Sequence, residues 1–218
     1  MSKLVGKAPI DAAPFTIAMP EATVSWAEVF GRSAPVEVEV GSGKGLFLAN
    51  AAGAHPGRDY LGIELAKKYA HLGAVRLAKL NMANAKMLPG DARRFLHLFV
   101  PEASLSAVHI YFPDPWWKKK HRKRRVFCDP FVQDVARVLM PRGDFHIATD
   151  VEEYFGVMME LMANHPEFAE QPRPEPKPAE HDLDYLTNFE RKYRIEGRPI
   201  HRAHYVLIGS PHATATAE

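Results

Sequence analysis

The stretch VEVEVGSGKG, Val36 to Gly45, decides the reading of the fold. Alternating valine and glutamate run straight into three spaced glycines, the mark of a strand ending in a tight turn. Leu46 to Ala52 then follows as a helix. Working outward, the same unit recurs. DYLGIEL (Asp59 to Leu65) reads as a second strand, and apolar residues spaced from Ala66 to Leu80 read as a helix. Asn84 to Leu88, closed by Pro89-Gly90, is a short third strand, followed by a helix from Ala92 to Phe99. LSAVHIYF (Leu105 to Phe112) is a buried fourth strand. Phe131, Val135, Val138 and Leu139 define a helix stopped by Pro141 and Gly143. A fifth strand, Asp144 to Asp150, precedes an amphipathic helix carrying Tyr154, Val157, Met158, Leu161 and Met162. Phe189 to Ile195 and His204 to Ile208 are expected as a closing pair of strands. The alternation predicts an α/β fold, a mostly parallel seven-stranded sheet with helices on both faces.

Around this unit the chain divides simply. Residues 1–34 read as a surface arm whose end is anchored by Trp26 and Phe30, and 35–209 as the folded domain. Within that domain the Pro-rich stretch 165–180 is expected to be a stiff loop, and 210–218 a disordered tail. The 218 residues suit one domain with appendages, large enough to need no disulfide. Cys128 is the single cysteine, which excludes an internal disulfide and a Cys-rich zinc site and fits a reducing cytoplasm. The opening MSKLVGKAPIDAAPF has no long apolar stretch, so no signal peptide is expected, and apolar runs elsewhere are too short to span a bilayer. The formal charge of +2 hides an asymmetry. Seven of the 28 lysines and arginines lie in KKKHRKRR, Lys118 to Arg125, leaving 21 against 26 acids elsewhere. One short segment makes an acidic protein basic, which suggests a polyanionic partner.

The glycine turn carries the first chemistry. Gly41, Gly43 and Gly45 allow a ligand to approach the backbone, but Leu46 stands where the dinucleotide fingerprint has its third glycine. Glu39, two residues before the first glycine, would repel a pyrophosphate and favour a cation. S-adenosylmethionine, with its ammonium and sulfonium, fits that charge. Glu64 at the end of the second strand suits ribose hydroxyls of this cofactor or of NAD. Asp91, beside Ala92, is placed to receive an adenine amine, although taken alone it reads more readily as a helix cap. In FPDPWW, Phe112 to Trp117, two prolines fix the direction of Asp114. Trp116 and Trp117 read as core packing or as a platform for an unpaired base, and the basic run behind them as a solvated face or a phosphate grip.

EVGSGKG, FPDPWWKKKHRKRR, ATD and TNFE, in this order, resemble the bacterial tRNA (guanine-N7-)-methyltransferases, a family of class I methyltransferases with a Rossmann-like fold. The resemblance covers roughly Trp26 to Ile208, and FPDPWWKKKHRKRR is its most specific piece. It implies that Glu39, Glu64, Asp91 and Asp114 surround S-adenosylmethionine and that Asp114 is the active-site residue. By the same resemblance Lys118, Asp150, Thr187, Asn188, Phe189 and Glu190 bind substrate. Lys120, His121, Arg122, Lys123, Arg124 and Arg125 then fall where the family contacts RNA. The chain departs from the family where Asn188 replaces a basic residue after the threonine, and in RKYRIEGRPIHRAHY. The implied reaction methylates N7 of a guanosine in the tRNA variable loop, in the cytoplasm, by a monomer or homodimer. Its rivals are a NAD oxidoreductase, a methyltransferase for another acceptor, and a non-catalytic RNA-binding protein. No metal site is expected: His201 and His204 point to opposite faces of a strand with no acid joining them, and His109 and His146 read as packed in or beside strands.

Overall fold

The computed structural model describes residues 10–172 and 187–209. A central sheet holds β1 (Val36–Val40), β2 (Asp59–Glu64), β3 (Ala85–Pro89), β4 (Leu105–Tyr111), β5 (Leu139–Thr149), β6 (Phe168–Glu170) and β7 (His201–Leu207). Their order across the sheet is β3-β2-β1-β4-β5-β7-β6. The first five are parallel, β7 is antiparallel to β5, and β6 is antiparallel to β7.

The helices are α1 (Trp26–Phe30), α2 (Leu46–Ala54), α3 (Lys67–Lys79), α4 (Ala92–Phe99), α5 (Asp129–Val138), α6 (Glu152–Met162) and α7 (Asn188–Ile195). They divide the core in two. Val36, Val38, Leu61, Ile63 and Leu88 pack with Phe95, Phe131 and Met158 from α4, α5 and α6. Tyr60 and Met87 face the other way, against Phe47, Ala74 and Leu77 from α2 and α3. The strand order reverses between β1 and β4, where open α/β sheets form a crevice at the carboxyl ends of the strands.

The alternation in VEVEV does not mean one wet face. β1 is central and all five of its residues are buried. Val36, Val38 and Val40 enter the first core, which turns Glu37 and Glu39 to the α2 side. Glu37 is satisfied there. Its carboxylate accepts from Arg58 Nη1 at 2.6 Å and lies 2.8 Å from His109 Nε2. Burial pushes its pKa up, but His109 and Arg58 outweigh that and hold it below the usual value. Among the described residues Glu39 Oε2 meets no hydrogen-bond partner.

Three expectations are corrected. Phe189 to Ile195 is not a strand: Asn188–Ile195 is helix α7. T-N-F-E is a capping sequence, and Thr187 Oγ1 accepts from the Glu190 amide at 3.0 Å. The strand beside β7 is instead β6, which lies inside the stretch expected to be a Pro-rich loop. Its three residues precede the dense prolines, so the chain stays free to donate to a ladder. Helix α5 ends at Val138, and Leu139 already belongs to β5. Pro141 and Gly143 do not stop an element. They form an irregularity within β5, where the register jumps from Leu105 opposite Leu139 to Ala107 opposite Asp144. The expectations for residues 1–9, 173–180 and 210–218 lie outside the described residues.

The arm packs against the sheet. Thr16 bridges to Met87 of β3, and the Ile17 amide donates to the Met87 carbonyl at 2.9 Å. Farther on, Trp26 donates through Nε1 to Ser104 Oγ at 3.2 Å and meets the Phe95 ring edge-on.

Candidate active site

A cavity of about 1040 Å³ opens at the carboxyl ends of β1, β2 and β4. Its floor is the glycine turn. Gly41 and Gly43 have φ of +81° and +52°, and a Cβ at either would meet nothing, so conformation rather than space calls for glycine. Gly45 differs: it does not line the cavity, and at its φ of +67° a Cβ would stand only 3.2 Å from Gly73 Cα of α3. Glu64 clamps this turn, accepting from the Gly43 amide at 2.9 Å and the Ala66 amide at 2.8 Å. Asp91 caps α4, accepting from the Arg93 amide at 2.9 Å, and lines the cavity beside Ala92.

Glu39 is the electrostatic centre of the cavity. It is the penultimate residue of β1, 3% exposed, and burial raises its pKa to about 8; the Ser42 hydroxyl opposes that rise and Glu64 adds to it. A carboxylate in this position is short of a cation. Tyr111 ends β4 beside it, and burial, then Glu39, push its phenol well above the usual range. The sequence offered only one signal for Tyr111, its place as the last residue before FPDPWW.

The FPDPWW segment lines the cavity through Phe112, Pro113, Asp114 and Trp116. Phe112 and Trp116 both have positive φ, +53° and +42°, which bulky residues rarely adopt. Asp114 stands between these two strained positions, on the cavity wall and exposed to incoming ligands. The basic run behind it is not a uniform stripe. A 3-10 helix, Lys119–Arg124, turns Lys123 and Arg124 into the cavity wall. Lys118 and Lys120 remain outside it and exposed. His121 stacks on Trp116, with ring centroids 5.7 Å apart, and the Arg124 guanidinium lies 5.2 Å from the same indole. Arg125 is already engaged: Nε donates to the Pro115 carbonyl at 2.6 Å, and the guanidinium lies over Trp117 and Tyr154. The side chains of Arg122, Asn188 and Phe189 lie outside the description.

Helix α7 closes one side. Thr187 and Lys192 line the cavity, and Lys192 is a residue the strand reading of this segment concealed. Glu190 does not line it. It is 3% exposed and accepts from Arg202 Nη2 at 2.7 Å, tying α7 to β7. Asp150 also lies off the cavity wall, its carboxylate engaged by Arg198, whose guanidinium sits 4.1 Å from the Tyr193 ring centroid. Replacing Thr187 by alanine removes the α7 cap. A loss of about 1 kcal/mol in urea unfolding is expected, and an unchanged midpoint would refute the cap's contribution.

A seven-stranded sheet in this order, with an acidic glycine turn at its crevice, defines a Rossmann-like S-adenosylmethionine-dependent methyltransferase fold. Among solved structures, the 16S rRNA methyltransferase KamB superposes with a TM-score of 0.61 at 15% identity, over 85% of this chain and 93% of that one. The family model described as a putative methyltransferase matches residues 33–203. The tRNA (guanine-N(7)-)-methyltransferase of Rhodopirellula baltica is 45% identical over 190 residues, 84% of this chain and 70% of the relative. That of Geobacter metallireducens is 36% identical over 180 residues, 83% and 85% of the two chains. The chain belongs to the tRNA (guanine-N(7)-)-methyltransferase family.

Proposed function

We propose that the protein methylates N7 of a guanosine in the variable loop of tRNA, using S-adenosylmethionine and forming 7-methylguanosine. One observation carries this reading: a single cavity is lined by the acidic Glu39 and Asp114 and by the basic Lys123 and Arg124. The residues fit the cofactor. Glu39 Oε2 is buried without a partner among the described residues, which suits an ammonium, and the bare backbone of Gly41 and Gly43 leaves room for close approach. Glu64 and Asp91 would take the ribose and adenine, with Ala92 beside them. When bound, S-adenosylmethionine supplies a methyl group made electrophilic by its sulfonium.

The protein's own task is then geometric. Guanine N7 carries a lone pair and no hydrogen, so the site needs no general base. Orientation of the reacting atoms is worth about 7–11 kcal/mol when complete. Positive charge grows on the purine as it reacts, and the Asp114 carboxylate stabilises that growth. Asp150 is assigned to the guanine N1–H and amino group, with Lys118 and residues 187–190 around it. In that assignment Arg198 must give way to the base. Because Arg125 is engaged within the protein, Lys123 and Arg124 carry the RNA grip at the cavity, with Lys120, His121 and Arg122 extending it outward. Among the described residues no helix is long and apolar enough to cross a membrane. We assign the protein to the cytoplasm, where tRNA is met, as a monomer or homodimer.

The test uses an unmodified tRNA transcript, methyl-labelled cofactor, then reduction and aniline cleavage. Label with one cut in the variable loop supports the reading. Label without cleavage means another atom is methylated, and no label from a protein that binds the cofactor means the RNA is wrong. If the basic run grips phosphates, tRNA affinity falls steeply with salt. Lys123→Ala should lower the slope of log K against log salt by about 1. A flat salt response would remove the phosphate grip from the proposal.

A further inference from the structure

Strands β5 and β7 run antiparallel with His146 directly opposite His204. Asp144 lies two residues before His146, so the two side chains leave the same face of the sheet. The structure therefore gathers one carboxylate and two imidazoles whose donor atoms all lie within 4.8 Å of one another. Sequence spacing had paired His204 with His201 and found no acid. In the fold the acid is Asp144, 60 residues away in sequence, and its Oδ1 lies 2.7 Å from His204 Nε2. His201 Nε2 is buried apart from this group, and its ring stacks on Phe155.

His146 has no evident structural use for its nitrogens. It stacks between His109, 4.9 Å away, and His204, 4.4 Å away, and among the described residues ring stacking alone holds it. His109 is not available as a ligand, because Glu37 and Tyr111 engage both of its nitrogens. The remaining candidate donors belong to Asp144, His146 and His204, and an ion there would replace the Asp144–His204 hydrogen bond. None of the three lines the cofactor cavity.

Two imidazoles and one carboxylate suit a divalent first-row transition ion, whereas magnesium and calcium favour oxygen ligands alone. Bonds near 2.0–2.2 Å require donor separations of about 3.3 Å in a tetrahedral site. The Asp144–His204 pair is already closer than that; for both imidazoles to aim a lone pair at one ion, His146 and His204, stacked at 12°, would have to turn out of their stack by rotation about side-chain bonds. We propose that Asp144, His146 and His204 bind a divalent transition ion of the zinc type, with water in the remaining position. Such an ion would staple β7 to β5. Arg202, on the same face of β7 and two residues from His204, holds Glu190 and hence α7. The staple therefore supports the element that closes the cavity, at a distance from the chemistry.

The full chain, stripped with a chelator and exchanged into metal-free buffer, is titrated with zinc by calorimetry and with cobalt by visible absorption. A single equivalent of zinc and a cobalt band typical of low coordination number are expected. The melting temperature should rise about 5–10 °C at a hundredfold excess over the dissociation constant. Asp144→Asn and His204→Gln should each weaken binding by about 100-fold or more, a larger loss than removal of an outer-shell partner typically causes. His201→Ala should leave binding intact. Near-UV circular dichroism without metal shows whether each variant is folded, and if one is not, the other decides. Absence of zinc binding by the wild type, or undiminished binding by a folded Asp144→Asn or His204→Gln protein, overturns the proposal.

Discussion

Replacing Glu39 by glutamine should make the cofactor-free protein more stable and the cofactor much weaker. In the folded chain Glu39 titrates near 8, against an ordinary value of 4.5. Between those values the unfolded chain gives up its proton while the folded chain keeps it. The unfolded state then binds fewer protons, so stability falls as pH rises from about 4.5 to about 8 and levels off above. The gap is worth at most about 5 kcal/mol, and relaxation around the carboxylate reduces it, so a gain of roughly 2–5 kcal/mol is expected for Glu39→Gln at pH 8. Urea unfolding from pH 5 to 9 checks this. The variant should lack most of the wild-type slope, and parallel curves would place the Glu39 titration elsewhere. The cofactor responds oppositely. A buried carboxylate facing a cation is worth about 2–5 kcal/mol when one partner is removed, so affinity for S-adenosylmethionine should fall roughly 30- to 5,000-fold. In the wild type, binding below pH 8 should release a proton, visible as a buffer-dependent heat in calorimetry.

Asp114→Asn should spare the fold and depress turnover. The side chain is exposed on the cavity wall, and the backbone that aims it is set by its neighbours at positive φ and by Pro113 and Pro115. Asparagine keeps the shape and removes the charge. Loss of one preorganised electrostatic group typically lowers kcat by about 100- to 1,000-fold. Single-turnover methylation of tRNA should show that loss, with a much smaller change in adenosylhomocysteine affinity. Equal losses in both would make Asp114 a binding group, and full turnover would remove its electrostatic role.

From β1 through β4 the fold was legible because each element is locally patterned and punctuated by glycine or proline. The cavity's acidic side was legible for the same reason: Glu39, Glu64 and Asp91 each follow or end a strand. The last third of the chain was harder. T-N-F-E carried a helix signal in its capping spacing, but apolar Phe189, Tyr193 and Ile195 mimic a strand when the cap is overlooked. The basic run gave its charge but not its division, because a 3-10 turn decides that Lys123 faces the cavity while Arg125 packs behind Trp117. Burial of both β1 glutamates was illegible too, since it depends on β1 lying inside the sheet between β2 and β4 and on α2 covering the face to which they point. The Asp144–His204 pair depends on antiparallel return of a distant strand, which local spacing does not encode.

The arm that runs along β3 has a consequence for how copies of this protein meet. A bare outer strand offers unpaired amides and carbonyls to any neighbour, which is the usual route to edge-to-edge stacking and aggregation. Here Thr16 and Ile17 occupy part of that outer rim, and at the other rim β6 is only three residues long. Neither margin is a long template for strand addition. A homodimer of this protein would therefore be built from helix and loop surfaces, and a truncation that removes the arm should show first as lost solubility.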